Sequence, residues 1–132
     1  MITNIGKEVV ESIIKDDPVR QHFPSDDIKA IICVAYTNEV PKNEYELEMF
    51  SQAACQDGQQ GHIAVFYTVW SYAKGAGRQV VFDVAKHLVE SERAKKFVTL
   101  SPLTTMAERF HLRNGAELIS KHDSCQNFEY TL

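Results

Sequence analysis

The sequence predicts an α+β domain with a central mixed sheet flanked by helices. Residues 28–36 (IKAIICVAY) and 62–70 (HIAVFYTVW) are dense in β-branched and aromatic side chains and read as buried strands. Val80, Val81, Val84, Ala85, Leu88 and Val89 then repeat at helical spacing. Between the second strand and this helix lies a glycine-containing turn, Ser71-Tyr72-Ala73-Lys74-Gly75-Ala76-Gly77-Arg78. A strand, a turn, a helix and a further strand form a unit that brings its strands together in parallel.

The remaining elements follow in order. Ile5, Val9, Val10, Ile13 and Ile14 give a helical pattern over 5–15 that stops before Asp16-Asp17-Pro18. Residues 37–60 are polar, with a short helix expected around Glu44–Ala54, and Asp57-Gly58-Gln59-Gln60-Gly61 closes the stretch as a turn. Residues 97–100 (FVTL) are the next strand. Ser101-Pro102 reads as a helix start, because serine caps and proline suits the first helical position. That helix is expected to end at Asn114-Gly115. Residues 116–120 and 126–131 are two final strands, paired antiparallel across a turn at 121–125. With no repeat and no linker, 1–132 reads as a single domain, with 1–24 as an N-terminal helical segment and 62–132 as its core.

Composition narrows the partners. At 44% hydrophobic and 24% charged residues over 132 positions, the chain can build one solvated globular core. A net charge of −4 supplies no basic footprint for nucleic acid. No apolar run approaches the ~18 residues of a membrane span, and the start Met1-Ile2-Thr3-Asn4 lacks the features of a signal peptide. Cys33, Cys55 and Cys125 are odd in number and widely spaced, which suits a reducing cytoplasm better than a disulfide framework. His22, His62, His87 and His122 show no metal-ligand spacing, so no metal is expected. Sheet edges left exposed in so short a domain would be covered by a homodimer.

The glycine turn carries the first chemical signal. Gly75 and Gly77 let the backbone approach a ligand closely, the helix N-terminus favours an anion, and Lys74 and Arg78 add positive charge. A pyrophosphate cradle and an ordinary tight turn with two solvated bases both fit these residues. Ser101 is read as a helix cap or as a functional hydroxyl, and His111 as a core histidine or a proton donor. Phe66, Tyr67 and Trp70 are assigned to the core.

Tyr72-Ala73-Lys74-Gly75-Ala76-Gly77 resembles the Gln/Arg-x-x-Gly-x-Gly/Ala loop of the GNAT acyltransferases, with Tyr72 in place of Gln or Arg. Residues 107–116 (AERFHLRNGA) resemble the GNAT segment Ala-x-x-Phe/Leu-Tyr-x-x-x-Gly-Phe, with His111 at its tyrosine. The resemblance implies the GNAT fold and a CoA thioester as ligand. It implies cofactor contacts from Lys74, Gly75, Ala76, Gly77, Arg78, Val69 and Asn114.

The histidine points to one branch. Leu100-Ser101-Pro102, the run 109–116 (RFHLRNGA) and Asn127-Phe128-Glu129-Tyr130 resemble motifs in the catalytic domain of malonyl-CoA decarboxylase, over roughly 28–130. That resemblance implies His111 as catalytic proton donor and Ser101 as a catalytic hydrogen-bond donor to the carboxylate or the oxyanion. Such a donor is worth on the order of 3–4 kcal/mol. Nine residues separate the two, and ten helical steps span about 15 Å. A direct Ser–His pair is therefore not expected if the helix begins at Ser101. The expected activity is that of a malonyl-CoA decarboxylase-like enzyme. An acetyl-CoA-dependent N-acetyltransferase and a non-catalytic acyl-CoA-binding module are the alternatives.

Overall fold

The computed structural model describes residues 29–56 and 61–132. The expected helix over 5–15, the segment 1–24 and residues 57–60 lie outside the described residues. Its elements run β1 (Ala30–Thr37), α1 (Glu44–Gln56), β2 (Ile63–Ser71), α2 (Ala76–Glu90), β3 (Lys96–Thr99), β4 (Ser101–Pro102), α3 (Thr105–Arg113), β5 (Glu117–Lys121) and β6 (Cys125–Tyr130). The six strands form one mixed sheet in the order β1-β2-β3-β6, with β4 extending β3 along one side of β6 and β5 on its other side. β2 and β3 are parallel, as the strand–helix–strand unit requires, and β5 and β6 are antiparallel.

Alternation along the strands divides the core. One face presents Ile32, Val34, Ala64, Phe66, Phe97, Phe128 and Tyr130 to Val81, Val84, Ala85 and Leu88 of α2. The other presents Ala35, Ile63, Val65, Val98, Leu100 and Cys125, with Leu47 of α1 against them. Local sequence fixes the start of α1. Asn43 Oδ1 accepts the Glu46 N–H at 2.8 Å while Glu46 Oε1 reaches back to the Lys42 N–H at 3.0 Å, a variant of the capping box. Gly61 packs so tightly on Thr37 that a Cβ there would sit 2.4 Å from its backbone.

Three sequence expectations are corrected. Ser101-Pro102 is not a helix start. Both residues continue the β3 register against β6, Ser101 opposite Gln126 and Pro102 opposite Cys125. The cap is Thr104, whose Oγ1 accepts the Ala107 N–H at 3.2 Å. Proline donates nothing to a ladder, so it is tolerated at this short strand end. α2 begins at Ala76, two residues before the end of the expected turn, with left-handed Gly75 (φ 78°) as its cap residue. Trp70 is not in the core but 58% exposed at the end of β2. The C-terminal stop of α3 is as expected: Gly115 takes φ 92°, and the Ala116 N–H returns to the His111 carbonyl at 3.0 Å.

Candidate active site

The sheet divides where β2 leaves β3. β2 runs to Ser71 but pairs with β3 only from Ile63 to Phe66. The Leu100 N–H to the Phe66 carbonyl, 3.0 Å, is the next link, one residue beyond that ladder. Past it, β2 stays with β1 and β4 stays with β6, so a wedge opens between Tyr67–Ser71 and Ser101–Pro102. A β-bulge marks its apex. Cys33 pairs with Thr68 and Val34 with Phe66, leaving Tyr67 as the extra residue. Its hydroxyl is buried without an oxygen or nitrogen partner among the described residues. Burial, helped by the neighbouring Cys33 thiol, pushes the Tyr67 pKa up to about 12.

The glycine turn sits at the mouth of this wedge. Gly75 has open space around its α-carbon, and its positive φ is a conformation that side chains resist. Gly77 serves packing instead. Its N–H already donates to Ser71 Oγ at 3.2 Å, and a Cβ would lie 3.2 Å from the Phe110 ring of α3. The Arg78 guanidinium lies within 3.5 Å of Asn114 Oδ1 and 5.1 Å from the Phe82 ring centre, so it ties α2 to the end of α3. Asn114, the last-turn cap of α3, is buried. Ala76 is half-buried at the first position of α2, and Val69 packs against the α2 face of the core. Lys74 is exposed beside Gly75. Of the residues expected at a cofactor, the structure gathers Lys74, Gly75 and Ala76 at the wedge mouth. It engages Gly77, Arg78 and Asn114 in helix packing.

His111 and Ser101 occupy separate networks. His111 is 5% exposed, enclosed by Phe110, Phe128 and Tyr130, and its Nδ1 lies 2.7 Å from the Tyr130 hydroxyl. Burial pushes its pKa down to about 4, so the ring is neutral at pH 7. Tyr130 is itself raised by burial, with Asn114 and Arg78 pulling partway back. Ser101 belongs to a buried polar cluster on β3, β4 and β6. Its Oγ lies 2.8 Å from Thr99 Oγ1, which also accepts the Phe128 N–H at 3.1 Å. The two hydroxyls share one hydrogen bond, so one hydroxyl proton remains uncommitted among the described contacts.

Two β6 amides that carry no role in the sequence reading, Asn127 and Gln126, lie beside this cluster. Asn127 is fully satisfied: Nδ2 donates to the carbonyls of Pro41 and Thr99, both at 2.9 Å, and Oδ1 accepts from Ser120 Oγ and His122 Nε2. Gln126 is 1% exposed and half satisfied. Its Nε2 donates to the Pro102 carbonyl at 2.9 Å, while Oε1 is buried without a partner among the described residues. The signal was available in the run 125–130 (CQNFEY), where two adjacent amides stand in a strand of buried neighbours. No group of three or more His, Cys, Asp or Glu side chains among the described residues could hold a metal. No described helix is long and apolar enough to cross a membrane.

The shape is that of the GNAT fold. A GNAT-family acetyltransferase from Listeria monocytogenes 4b F2365 is similar with a TM-score of 0.54 and 8% identity, over 80% of this chain and 58% of that one. The chain therefore spans less than two thirds of that protein's length. An N-acetyltransferase from Staphylococcus aureus Mu50 aligns over 97% of this chain and 94% of its own at 13% identity and a TM-score of 0.45. No protein-family model and no curated protein matches the sequence. At 8% identity the likeness to the Listeria protein is one of fold.

Proposed function

We propose that this chain binds an acyl-CoA thioester in the wedge between β2 and β4 and transfers its acyl group to an amine. The observation that carries this reading is the separation of β2 from β3 at Phe66, with a bulge at its apex and a left-handed glycine turn at its mouth. Beyond Phe66, the main-chain groups of β2 on the side away from β1 have no strand partner among the described residues, so they are available to an extended ligand. The α2 N-terminus with Gly75 and Lys74 offers amide and ammonium donors to a pyrophosphate at the open end. A thioester lying along β2 then brings its carbonyl to the apex, beside the Thr99–Ser101 hydroxyl pair. The uncommitted hydroxyl proton there would stabilise the carbonyl oxygen as an amine adds.

Amine transfer is favoured over decarboxylation. The decarboxylase resemblance implies His111 as its proton donor, and a buried neutral ring bonded to Tyr130 holds no imidazolium proton at neutral pH. Among the described residues, the hydrogen bonds of Thr99, Ser101 and Gln126 go to uncharged groups: each other's hydroxyl, the Phe128 N–H, the Asn127 amide and the Pro102 carbonyl.

The test is thermal unfolding with CoA, acetyl-CoA and malonyl-CoA, followed by mass spectrometry of each thioester after incubation. Acetyl-CoA at 100 times its dissociation constant should add about 2.7 kcal/mol of stability. Free CoA should appear faster when an amine is supplied. No stabilisation by any CoA species sinks the reading, and conversion of malonyl-CoA to acetyl-CoA restores the decarboxylase.

A further inference from the structure

Gln126 is buried, and its Oε1 has no hydrogen-bond partner among the described residues. Ser101 and Gln126 are cross-strand partners, so their side chains share the face on which Phe97, Phe128 and Tyr130 meet α2 and α3. The pair stands one residue past the Leu100–Phe66 hydrogen bond, level with the apex of the wedge. The Gln126 side chain crosses from β6 to β4, where Nε2 is spent on the Pro102 carbonyl. That bond fixes which way the amide faces, because the reverse orientation would set two acceptors against each other. Oε1 is thus pinned as an acceptor, out of reach of bulk water and with no donor in the described fold. A buried acceptor without a donor is costly, and buried polar groups normally have partners.

We propose that Gln126 Oε1 accepts an N–H of the acceptor amine in the wedge and so positions the nucleophile, an inference that rests on the acyl-transfer reading above. In that reaction the amine nitrogen bonds to the thioester carbonyl carbon, the C–S bond breaks, the nitrogen gives up one proton and the CoA sulfur takes one. The nitrogen gains positive charge as it adds, so an N–H held by a carbonyl oxygen is bound more tightly in the transition state than before it. The same oxygen repels a carboxylate and leaves an amine-free occupant without its hydrogen bond, which sets specificity as well as orientation.

Hydroxylamine is the probe, because it is a nitrogen nucleophile small enough to enter whatever acceptor site exists. Acetohydroxamate formed from acetyl-CoA is measured above the protein-free rate, alongside the dissociation constant of CoA and the melting temperature. Gln126→Met keeps the length and removes the acceptor. It should lower kcat/KM for hydroxylamine about ten- to a hundredfold and leave CoA affinity within about twofold. Gln126→Glu, which restores an acceptor, should recover part of the rate if it melts close to wild type. Equal rates for wild type and Gln126→Met overturn the inference alone. Weakened CoA binding with an unchanged rate assigns Oε1 to an amide N–H of the cofactor arm and overturns it as well. Wild-type protein that binds acetyl-CoA without accelerating hydroxamate formation removes the acyl-transfer reading and this inference together.

Discussion

Acid should destabilise this fold through His111. The ring is buried among Phe110, Phe128 and Tyr130, and its pKa falls from 6.5 to about 4. A histidine with a depressed folded pKa binds its proton more readily in the unfolded chain. Its contribution is therefore fully present above pH 6.5 and is lost as pH falls from there towards 4. The full shift of about 2.5 units corresponds to about 3 kcal/mol, of which about 2 kcal/mol disappears between pH 7.5 and pH 5. That is a large share of the 5–15 kcal/mol typical of a domain. The assay is urea unfolding at pH 7.5, 6.5, 5.5 and 5, in wild type and His111→Phe. The variant has its own cost, because it leaves the Tyr130 hydroxyl without its 2.7 Å partner, but its pH slope should be shallower by about 2 kcal/mol over this range. Parallel curves for the two proteins would refute the argument and place a protonatable, solvated histidine at position 111. Such a result would also reopen His111 as a proton donor.

Asn127→Leu should destabilise the fold by about 2–6 kcal/mol, since it strips the donors from two buried carbonyls, those of Pro41 and Thr99; a loss below about 1 kcal/mol in urea unfolding would contradict this. Gly75→Ala meets no atom within 4 Å yet must hold φ near 78°, so its cost should be conformational, about 1–2 kcal/mol. If the turn cradles a pyrophosphate, the same variant should bind CoA more weakly than wild type in isothermal titration, and unchanged affinity would remove the turn from the site.

Apart from β4, the order and type of the described elements were legible along the chain. β-branched windows, the helical repeat at Val80–Val89 and the Asn114-Gly115 stop are local patterns, and each element forms close to where its pattern lies. Ser101-Pro102 misled because a cap signature is also local, while the register against Gln126 and Cys125 that draws those residues into the sheet comes from some 24 positions away. Trp70 misled for the same reason: it lies in an apolar run, but β2 has outrun its neighbour β3 by that point.

The sequence by itself determined an α+β domain with a glycine turn between a strand and a helix. It also marked Ser101 and His111 as residues of chemical interest. Only the tertiary structure decided where those residues sit and what they touch. Strand separation at Phe66 creates the wedge, helix packing occupies Gly77 and Arg78, a ring of aromatic residues neutralises His111, and cross-strand pairing places Gln126 beside Ser101. Propensity and capping act over a few residues and can be read in one dimension. Burial, pKa and the fate of a buried amide depend on neighbours brought together from distant parts of the chain, and those are set only when the sheet closes.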